Sequence, residues 1–440
     1  LHRTVKNCLS VLRASSRIGS EYSPINRTKL LETILSSIFE DYEIPTYHDK
    51  KPDIEDCNYV LGYFCQYLVL KNDFEFTENK FKSVLKEFCE KNFIELDLTY
   101  LLNLLVDNSI VILNKFTEKI YFRNSYWVFY FIAQRMKLNK EFLETVYSEK
   151  KYIDYPEIIE FYTGIDRNRD DALIILNKDL TKTLNKVKSK VNIPDTINPY
   201  KSISWTPEIE SLEREEKKIS QDVVSSGLPD EVKDKHSDKY YNQIKPYNQV
   251  INSVLRDYSF LVLMQQVSAS SRALRNSDFV DQKIKSELLD NITNAWLEIN
   301  KLLIALSPIL ADRGNATFEG AKFTLADDDF MIEDPVEKRK AVLFAVPTNV
   351  VSFFKDDLFS VKMGPLLIKK AENESNSLIK HELMLLIIAE RPKNWNKVID
   401  KYIVNLDKNS FFLSDALHVL NYNIDFTTTE LGDKRILRSF

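Results

Sequence analysis

Glycine is scarce in this chain, with only 8 glycines among 440 residues. Folds rich in turns, bulges and phosphate-binding loops depend on glycine, because it adopts left-handed backbone conformations without a steric penalty. Hydrophobic residues make up 44% of the chain and aromatic residues 12%, which excludes a mainly disordered protein. The sequence therefore predicts a mainly α-helical protein, long enough for two or three domains.

The same scarcity excludes the common nucleotide-binding loops. No two glycines have the spacing of G-x-x-x-x-G-K-[ST] or G-x-G-x-x-G, so neither phosphate-binding loop can form. A G-x-S-x-G nucleophile motif is also absent. His381-Glu382 begins like a zinc-protease helix, but Leu385 stands where the second histidine belongs. We interpret His381 as a surface or core histidine and predict no catalytic residue, metal site or cofactor within this chain.

Net charge and cysteine content indicate in which cellular environment the chain is expected to function. The net charge of −5 gives no global attraction to nucleic acid or to a membrane. The four cysteines form no C-x-x-C pair, which favours a reducing, cytoplasmic location. No apolar run approaches the roughly 20 residues that span a bilayer, so we expect no membrane segment. The chain opens Leu1-His2-Arg3 without an initiator methionine, and we expect it to belong to a longer polypeptide.

The first part of the chain predicts a helical linker and a winged helix. Residues 1–50 form the linker, in which Ser23 before Pro24 suits a helix N-cap. Residues 51–136 contain three helical stripes, the second and third preceded by the capping residues Thr77 and Asp97. Two apolar runs, 110–113 and 120–122, then flank a polar segment, as in a β-hairpin. Three helices followed by such a wing constitute a winged helix.

The remainder is predicted to be helical with one polar interruption. Residues 137–205 continue as a helical extension, and residues 206–249 are charge-dense, which indicates a polar linker or mobile segment. Residues 250–440 resume helical periodicity as short helices joined by brief turns, which favours helical hairpins or a solenoid-like region. Within it, residues 310–335 are predicted to be a loop.

One helix of the extension carries a lysine face. Four lysines recur every four residues opposite an apolar stripe: Lys178, Lys182, Lys186 and Lys190. This pattern is that of an amphipathic helix. The face either contacts phosphates, a nucleic-acid backbone or an acidic partner, or it is simply solvated. The sequence leaves both interpretations open.

Aromatic residues of the C-terminal region are candidates for partner binding, because aromatic side chains dominate binding hot spots. They are Trp296, Phe353, Phe354, Trp395 and Phe411. Packing in the protein core is the alternative for each of them.

The segment Phe122–Ala133 is the most distinctive in the chain, since it places Arg123 and Asn124 directly before an aromatic-rich run. Together with the three-helix-plus-wing block, it makes residues 1–175 similar to the region that follows the nucleotide-binding core of STAND ATPases, the class of NACHT and NB-ARC proteins. NACHT-type proteins often carry F-R-H at this point, and their histidine can sense the nucleotide's phosphates. Asn124 occupies that position here, and asparagine can hydrogen-bond but cannot become cationic.

The resemblance implies that the chain is the regulatory and sensor part of a bacterial antiphage STAND ATPase. It implies an upstream ATPase core that binds ATP or ADP with Mg, an effector domain further upstream, and homo-oligomerisation when a phage-derived or other trigger binds. Arg123 and Asn124 would then sense the nucleotide, whereas the alternative is ordinary capping by Asn124 or Ser125. A non-enzymatic helical scaffold or adaptor is the main competing function. A winged-helix DNA-binding regulator is disfavoured, because the third helix is apolar and acidic.

The absence of phosphate-binding loops generates the first prediction. The isolated chain should not hydrolyse ATP, which a phosphate-release assay with Mg-ATP can measure against a buffer control. Turnover above that control would contradict the prediction if a point substitution within residues 1–440 abolished it.

Overall fold

The computed structural model describes residues 26–41, 50–188, 190–191, 200, 259–318, 321–324 and 332–426. These residues are mainly helical, as the sequence predicts. They divide into two compact units, one ending at Ala172 and the other beginning at Leu173. The polar linker at 206–249, the Ser23–Pro24 cap and the start of the C-terminal region at 250–258 lie outside the described residues.

The first unit contains the helices and strands of the predicted winged helix. Its elements are α1 (Arg27–Asp41), α2 (Ile54–Lys71), β1 (Glu75–Phe76), α3 (Glu78–Asn92), α4 (Leu98–Asp107), β2 (Val111–Asn114), β3 (Lys119–Phe122), α5 (Ser125–Leu138), α6 (Lys140–Ser148), α7 (Lys151–Asp154) and α8 (Pro156–Ile165). Helix α9 (Asp170–Val187) follows and contains the boundary between the units.

Local sequence signals fix where the winged-helix elements begin. The Thr77 side chain accepts a hydrogen bond from the Lys80 backbone N–H, and Asp97 accepts from the N–H groups of two residues in the first turn of α4, so both predicted caps are confirmed. Strands β2 and β3 pair antiparallel with Val111 opposite Phe122. Strand β1 pairs with the other edge of β3, giving the order β1–β3–β2. The sequence reading missed β1, because two residues are too short to show alternation.

Helix α5 is the centre of the first unit. Every residue from Tyr126 to Gln134 is buried, and the helix packs against both α2 and α8. The α2 contact is close, because a Cβ placed at Gly62 would lie 3.3 Å from both the Cβ of Arg135 and the carbonyl oxygen of Phe131. A helix surrounded in this way must be apolar on all sides, which explains the aromatic run in the sequence.

Helix α1 joins the linker region to this core by packing on α8. Arg27 Nη1 lies 3.3 Å from the Oε2 atom of Glu160, a carboxylate that is fully buried. The Asn26 side chain donates to the carbonyl oxygen of Gly164 at 3.3 Å. The helices approach so closely that a Cβ at Gly164 would lie 2.0 Å from the Oγ1 atom of Thr28.

The second unit contains one helix of 32 residues and, packed against it, a helix that is buried on nearly every side. Its elements after α9 are α10 (Ser259–Asn276), α11 (Gln282–Arg313), β4 (Asn315–Phe318), β5 (Ala321–Thr324), α12 (Pro335–Phe344), α13 (Val346–Leu358), a 3-10 turn (Val361–Met363), α14 (Gly364–Asn373), α15 (Ser377–Glu390), α16 (Trp395–Val404) and α17 (Phe411–Phe426). Helix α11 has 32 residues and contacts α10, α12, α13 and α15. Helix α15 in turn packs against α13, α14, α16 and α17.

Two features of this unit differ from simple expectation. The prediction of a loop over residues 310–335 is wrong in part, because β4 and β5 lie in this range and pair antiparallel, with Asn315 opposite Thr324. Helix α11 continues through Pro308, which lacks the N–H that would bond the carbonyl of Ile304. The Ser307 hydroxyl donates to that carbonyl at 2.7 Å and so supplies the missing bond.

The α1–α8 contact generates the second prediction. Gly164→Ala should destabilise the protein by about 1–3 kcal/mol, because the new methyl group overlaps Thr28. Gly62→Ala is the matched control, since its nearest neighbours lie at 3.3 Å and it should cost less. Chemical denaturation of both variants measures their free energies of unfolding and shows which substitution destabilises the protein more. Equal stability of Gly164→Ala and the parent protein would contradict this packing.

Candidate functional site

The end of the wing presents Arg123 to solvent. Strand β3 ends with Phe122, whose ring packs against Phe76 at 6.2 Å and Phe131 at 6.4 Å between centroids. The backbone N–H of Arg123 donates to the carbonyl of Ile110 at 2.9 Å, which fixes the chain at the start of α5. Because side chains alternate along a strand, burial of Phe122 turns the guanidinium of Arg123 outward, where it is exposed.

Asn124 occupies the N-cap position of α5 without capping through its side chain. Its backbone is extended, and no backbone N–H of the first turn donates to its side-chain oxygen. The Nδ2 atom instead donates to the Tyr126 hydroxyl at 3.2 Å. Ordinary side-chain capping by Asn124 is therefore not what the structure shows. The N–H groups at the start of α5 keep their partial positive charge beside the exposed Arg123.

The predicted lysine face lies on α9 only in part, because α9 ends at Val187 and Lys190 follows the helix instead of continuing it. The apolar stripe opposite it is buried, and the side chains of Lys178, Lys182 and Lys186 are exposed while Lys190 is half-buried. The helix is held in the second unit by Asn291, whose Nδ2 donates to Asn177 at 2.7 Å. The three exposed ammonium groups form no ion pair within the described part of the chain. Contact with phosphates or an acidic partner stays a prediction.

Four of the five candidate partner-binding aromatics lie in the core. Trp296 is 0% exposed and stacks on Phe354 with ring centroids 6.2 Å apart. Trp395 and Phe411 are also buried. Phe353 differs, because 48% of its surface is exposed. Of the predicted set, Phe353 is the residue whose ring can meet a partner without a rearrangement of the core.

The third winged-helix helix, α4, offers little to DNA. Its exposed positions along one face are Thr99, Asn103 and Asp107. None carries a positive charge, whereas a recognition helix in the major groove normally brings cationic side chains to bases and phosphates. This surface is consistent with the expectation that DNA reading is disfavoured.

Sequence reasoning missed a buried polar cluster on α15. His381 is 0% exposed; its Nδ1 atom lies 2.9 Å from the Tyr402 hydroxyl of α16, and its Nε2 atom lies 2.8 Å from Oδ2 of Asp415 on α17. Phe412 packs on the imidazole with centroids 4.6 Å apart. The interpretation of His381 as a surface or core residue is thereby narrowed to the core.

The geometry of this cluster resembles a nucleophile–histidine–carboxylate chain, with Tyr402 in the nucleophile position. A neutral imidazole satisfies both contacts if Nε2–H donates to Asp415 and the Tyr402 hydroxyl donates to Nδ1. Burial, reinforced by the charge of Asp415, raises the pKa of Tyr402. An activated nucleophile needs the opposite shift. The cluster therefore joins α15, α16 and α17 structurally.

The residue after His381 faces a different helix. Glu382 is 0% exposed, and its Oε1 atom accepts a hydrogen bond of 2.7 Å from Nδ2 of Asn300 on α11. Burial raises the pKa of the Glu382 carboxyl well above its ordinary value, and the Asn300 bond opposes that shift. The sequence contains a signal for these buried contacts, because His381-Glu382 directly precedes the apolar run Leu383–Ala389. Polar residues in a helix that is apolar all round need buried partners.

The described ranges contain neither a metal-binding cluster nor a membrane-spanning helix. No group of three or more histidine, cysteine, aspartate or glutamate residues there could hold a metal ion. No described helix is both long and apolar enough to cross a membrane. Comparisons of the chain with protein-family models, with curated proteins and with solved structures gave no match.

The cluster around His381 generates the third prediction. Tyr402→Phe and Asp415→Ala should each lower the free energy of unfolding by about 1–3 kcal/mol, because each leaves one buried imidazole nitrogen unpaired. The effects should be non-additive, since both partners act through His381. Asp400→Ala, at an exposed position of α16, is the control and should change stability by less than about 0.5 kcal/mol. Additive, small effects in a denaturant double-mutant cycle would contradict the cluster.

Proposed function

We propose that this chain is the regulatory and ligand-sensing part of a STAND-type ATPase in antiphage defence, in which trigger recognition is coupled to nucleotide-dependent oligomerisation and effector activation. The observation that carries the proposal is the end of the wing. Arg123 is exposed at the start of α5, and the Asn124 side chain is not consumed by helix capping. The protein acts in the cytoplasm in this proposal.

The chemistry at that point suits a phosphate group. The N-terminus of an α-helix attracts anions, because its first N–H groups lack intrahelical partners and the helix dipole is positive there. A guanidinium adds a permanent charge and a planar pair of donors that matches phosphate oxygens. Arg123 supplies the charge that a sensing histidine would bring, and Asn124 supplies a neutral hydrogen bond. The upstream core would hold the ATP or ADP and its Mg.

Switching in this proposal is a population shift. The winged helix packs on the nucleotide-bound core in the resting state, and trigger binding favours a released state that forms homo-oligomers. A phage-derived ligand would bind the second unit, where Phe353 and the lysine face of α9 are the accessible candidates. Such a sensor needs no catalytic residues of its own.

A helical adaptor is the second candidate, and two exposed side chains favour it. Phe93, after α3, is 97% exposed, and Phe116, at the tip of the wing, is 100% exposed. Phe93 also adopts a left-handed backbone conformation, with φ of 54°. Exposed phenylalanines on one small domain are suited to protein contacts. An adaptor would use them without nucleotide.

The fourth prediction separates these functions. In the full-length protein, Arg123→Ala should weaken nucleotide binding by about 10- to 100-fold, the value of one charge-assisted hydrogen bond, and should raise basal oligomerisation. Asn124→Ala should act in the same direction with a smaller effect. Nucleotide titration and light scattering measure the two quantities.

Lys115→Ala is the matched control, because Lys115 is an exposed cation on the same wing but lies at its tip. It should leave nucleotide binding unchanged. Equal behaviour of Arg123→Ala and Lys115→Ala would remove Arg123 from nucleotide sensing. Loss of partner binding on Phe116→Ser, with nucleotide binding intact in every variant, would favour the adaptor.

A further inference from the structure

The Glu382–Asn300 contact leaves two buried oxygen atoms without partners. Both hydrogens of the Asn300 amide are used, because Nδ2 donates to the Trp296 carbonyl at 2.9 Å and to Oε1 of Glu382 at 2.7 Å. The Oδ1 atom of Asn300 and the Oε2 atom of Glu382 have no hydrogen-bond partner. These two atoms belong to the amide and the carboxyl that one hydrogen bond already joins. Both atoms therefore lie at the same contact between α11 and α15.

The contact lacks a hydrogen-bond donor for these two oxygen atoms. An ionised carboxylate and an amide oxygen are both acceptors, and burying them side by side without a donor is costly. A single proton on Oε2 converts that atom to a donor for Oδ1. The acid and the amide then form a cyclic pair with two hydrogen bonds, and both orphaned oxygens are satisfied at once.

We propose that Glu382 is a neutral carboxylic acid paired in this way with Asn300, and that loss of its proton loosens the packing of α15 on α11. The packing of these two helices inside the second unit then depends on pH. It goes beyond the proposed function and does not depend on it, because it follows from buried contacts of this unit alone.

The surroundings provide no cation to hold Glu382 ionised. Helix α11 offers the neutral amide of Asn300, and α13 and α14 place no charged side chain in hydrogen-bond contact with Glu382 in the described ranges. Next to it on α15, His381 is engaged by Tyr402 and Asp415. The Tyr200 hydroxyl donates to the Leu343 carbonyl at 3.2 Å; burial raises the pKa of that tyrosine, and ionisation of Glu382 or Asp415 would raise it further. Burial and the Asn300 hydrogen bond are the two influences on the pKa of the Glu382 carboxyl, and burial, the larger one, favours the protonated acid.

The direction of the pH effect follows from burial. The folded-state pKa of Glu382 is raised above its ordinary value of 4.5. The unfolded chain therefore loses this proton first as the pH rises. The stabilisation is fully present below the ordinary pKa and is lost as the pH rises through the folded-state pKa. The contact between α11 and α15 is closed at low pH and opens as the pH rises through the folded-state pKa of Glu382.

Glu382→Gln in the full chain tests the proposal. Glutamine keeps both hydrogen bonds of the cyclic pair and cannot ionise. The opening equilibrium of α15, measured by backbone hydrogen exchange, should increase with pH in the parent protein by up to about tenfold per pH unit relative to Glu382→Gln. Glu372→Gln, at an exposed site on α14, is the control and should keep the parent's pH dependence.

Infrared spectroscopy of the parent protein gives an independent readout. A protonated carboxylic acid has its own C=O stretching band, and one such band should persist well above the ordinary pKa of 4.5 and be absent from Glu382→Gln. Absence of the band in the parent, or identical pH dependence of exchange in the parent and Glu382→Gln, would overturn the proposal. If Glu382→Gln fails to fold, the infrared measurement on the parent alone decides.

Discussion

Each unit of this protein depends on one helix that is buried on nearly every side. Helix α5 fills the first unit between α2 and α8, and α15 fills the second among α11, α13, α14, α16 and α17. A helix in such a position gains free energy from burial around its whole circumference, but every polar atom on it must find a partner away from water. The contacts that supply those partners connect the central helix to its neighbours. They are consequently the points at which chemistry can act on the fold.

The two central helices meet this requirement differently. On α5, Gln134 donates to the Tyr130 hydroxyl at 2.8 Å, so two neutral groups satisfy each other within the helix. The buried Glu160 of the neighbouring α8 has a guanidinium partner in Arg27. On α15, by contrast, Glu382 has only a neutral amide. Burial of a carboxyl without a cation favours its neutral form, so a proton becomes part of the packing in the second unit.

Much of the fold could be predicted from sequence because it rests on local signals. Thr77 and Asp97 mark helix starts through bonds within one turn, and the wing follows from two apolar runs around a polar segment. The strands at 315–318 and 321–324 were missed although each alternates polar and apolar residues, because each is only four residues long and the neighbouring Gly314 and Gly320 favour a loop. The partners of His381 and Glu382 were missed for a different reason. Asn300 is separated from Glu382 by 82 residues, and helical periodicity carries no information about such pairs.

The two candidate residues at the end of the wing differ in how much of their structure the sequence predicts. The alternation that buries Phe122 exposes Arg123, and this much follows from strand geometry. That Asn124 donates to Tyr126 instead of capping α5 depends on the local backbone, which the residue type alone does not decide. The first N–H groups of α5 have no side-chain cap from Asn124, and the guanidinium of Arg123 is exposed, so both can bind an anion while Asn124 keeps its hydrogen bond to Tyr126. A side-chain cap on those N–H groups would have to be broken first, and its absence favours the proposed sensing role of Arg123 and Asn124.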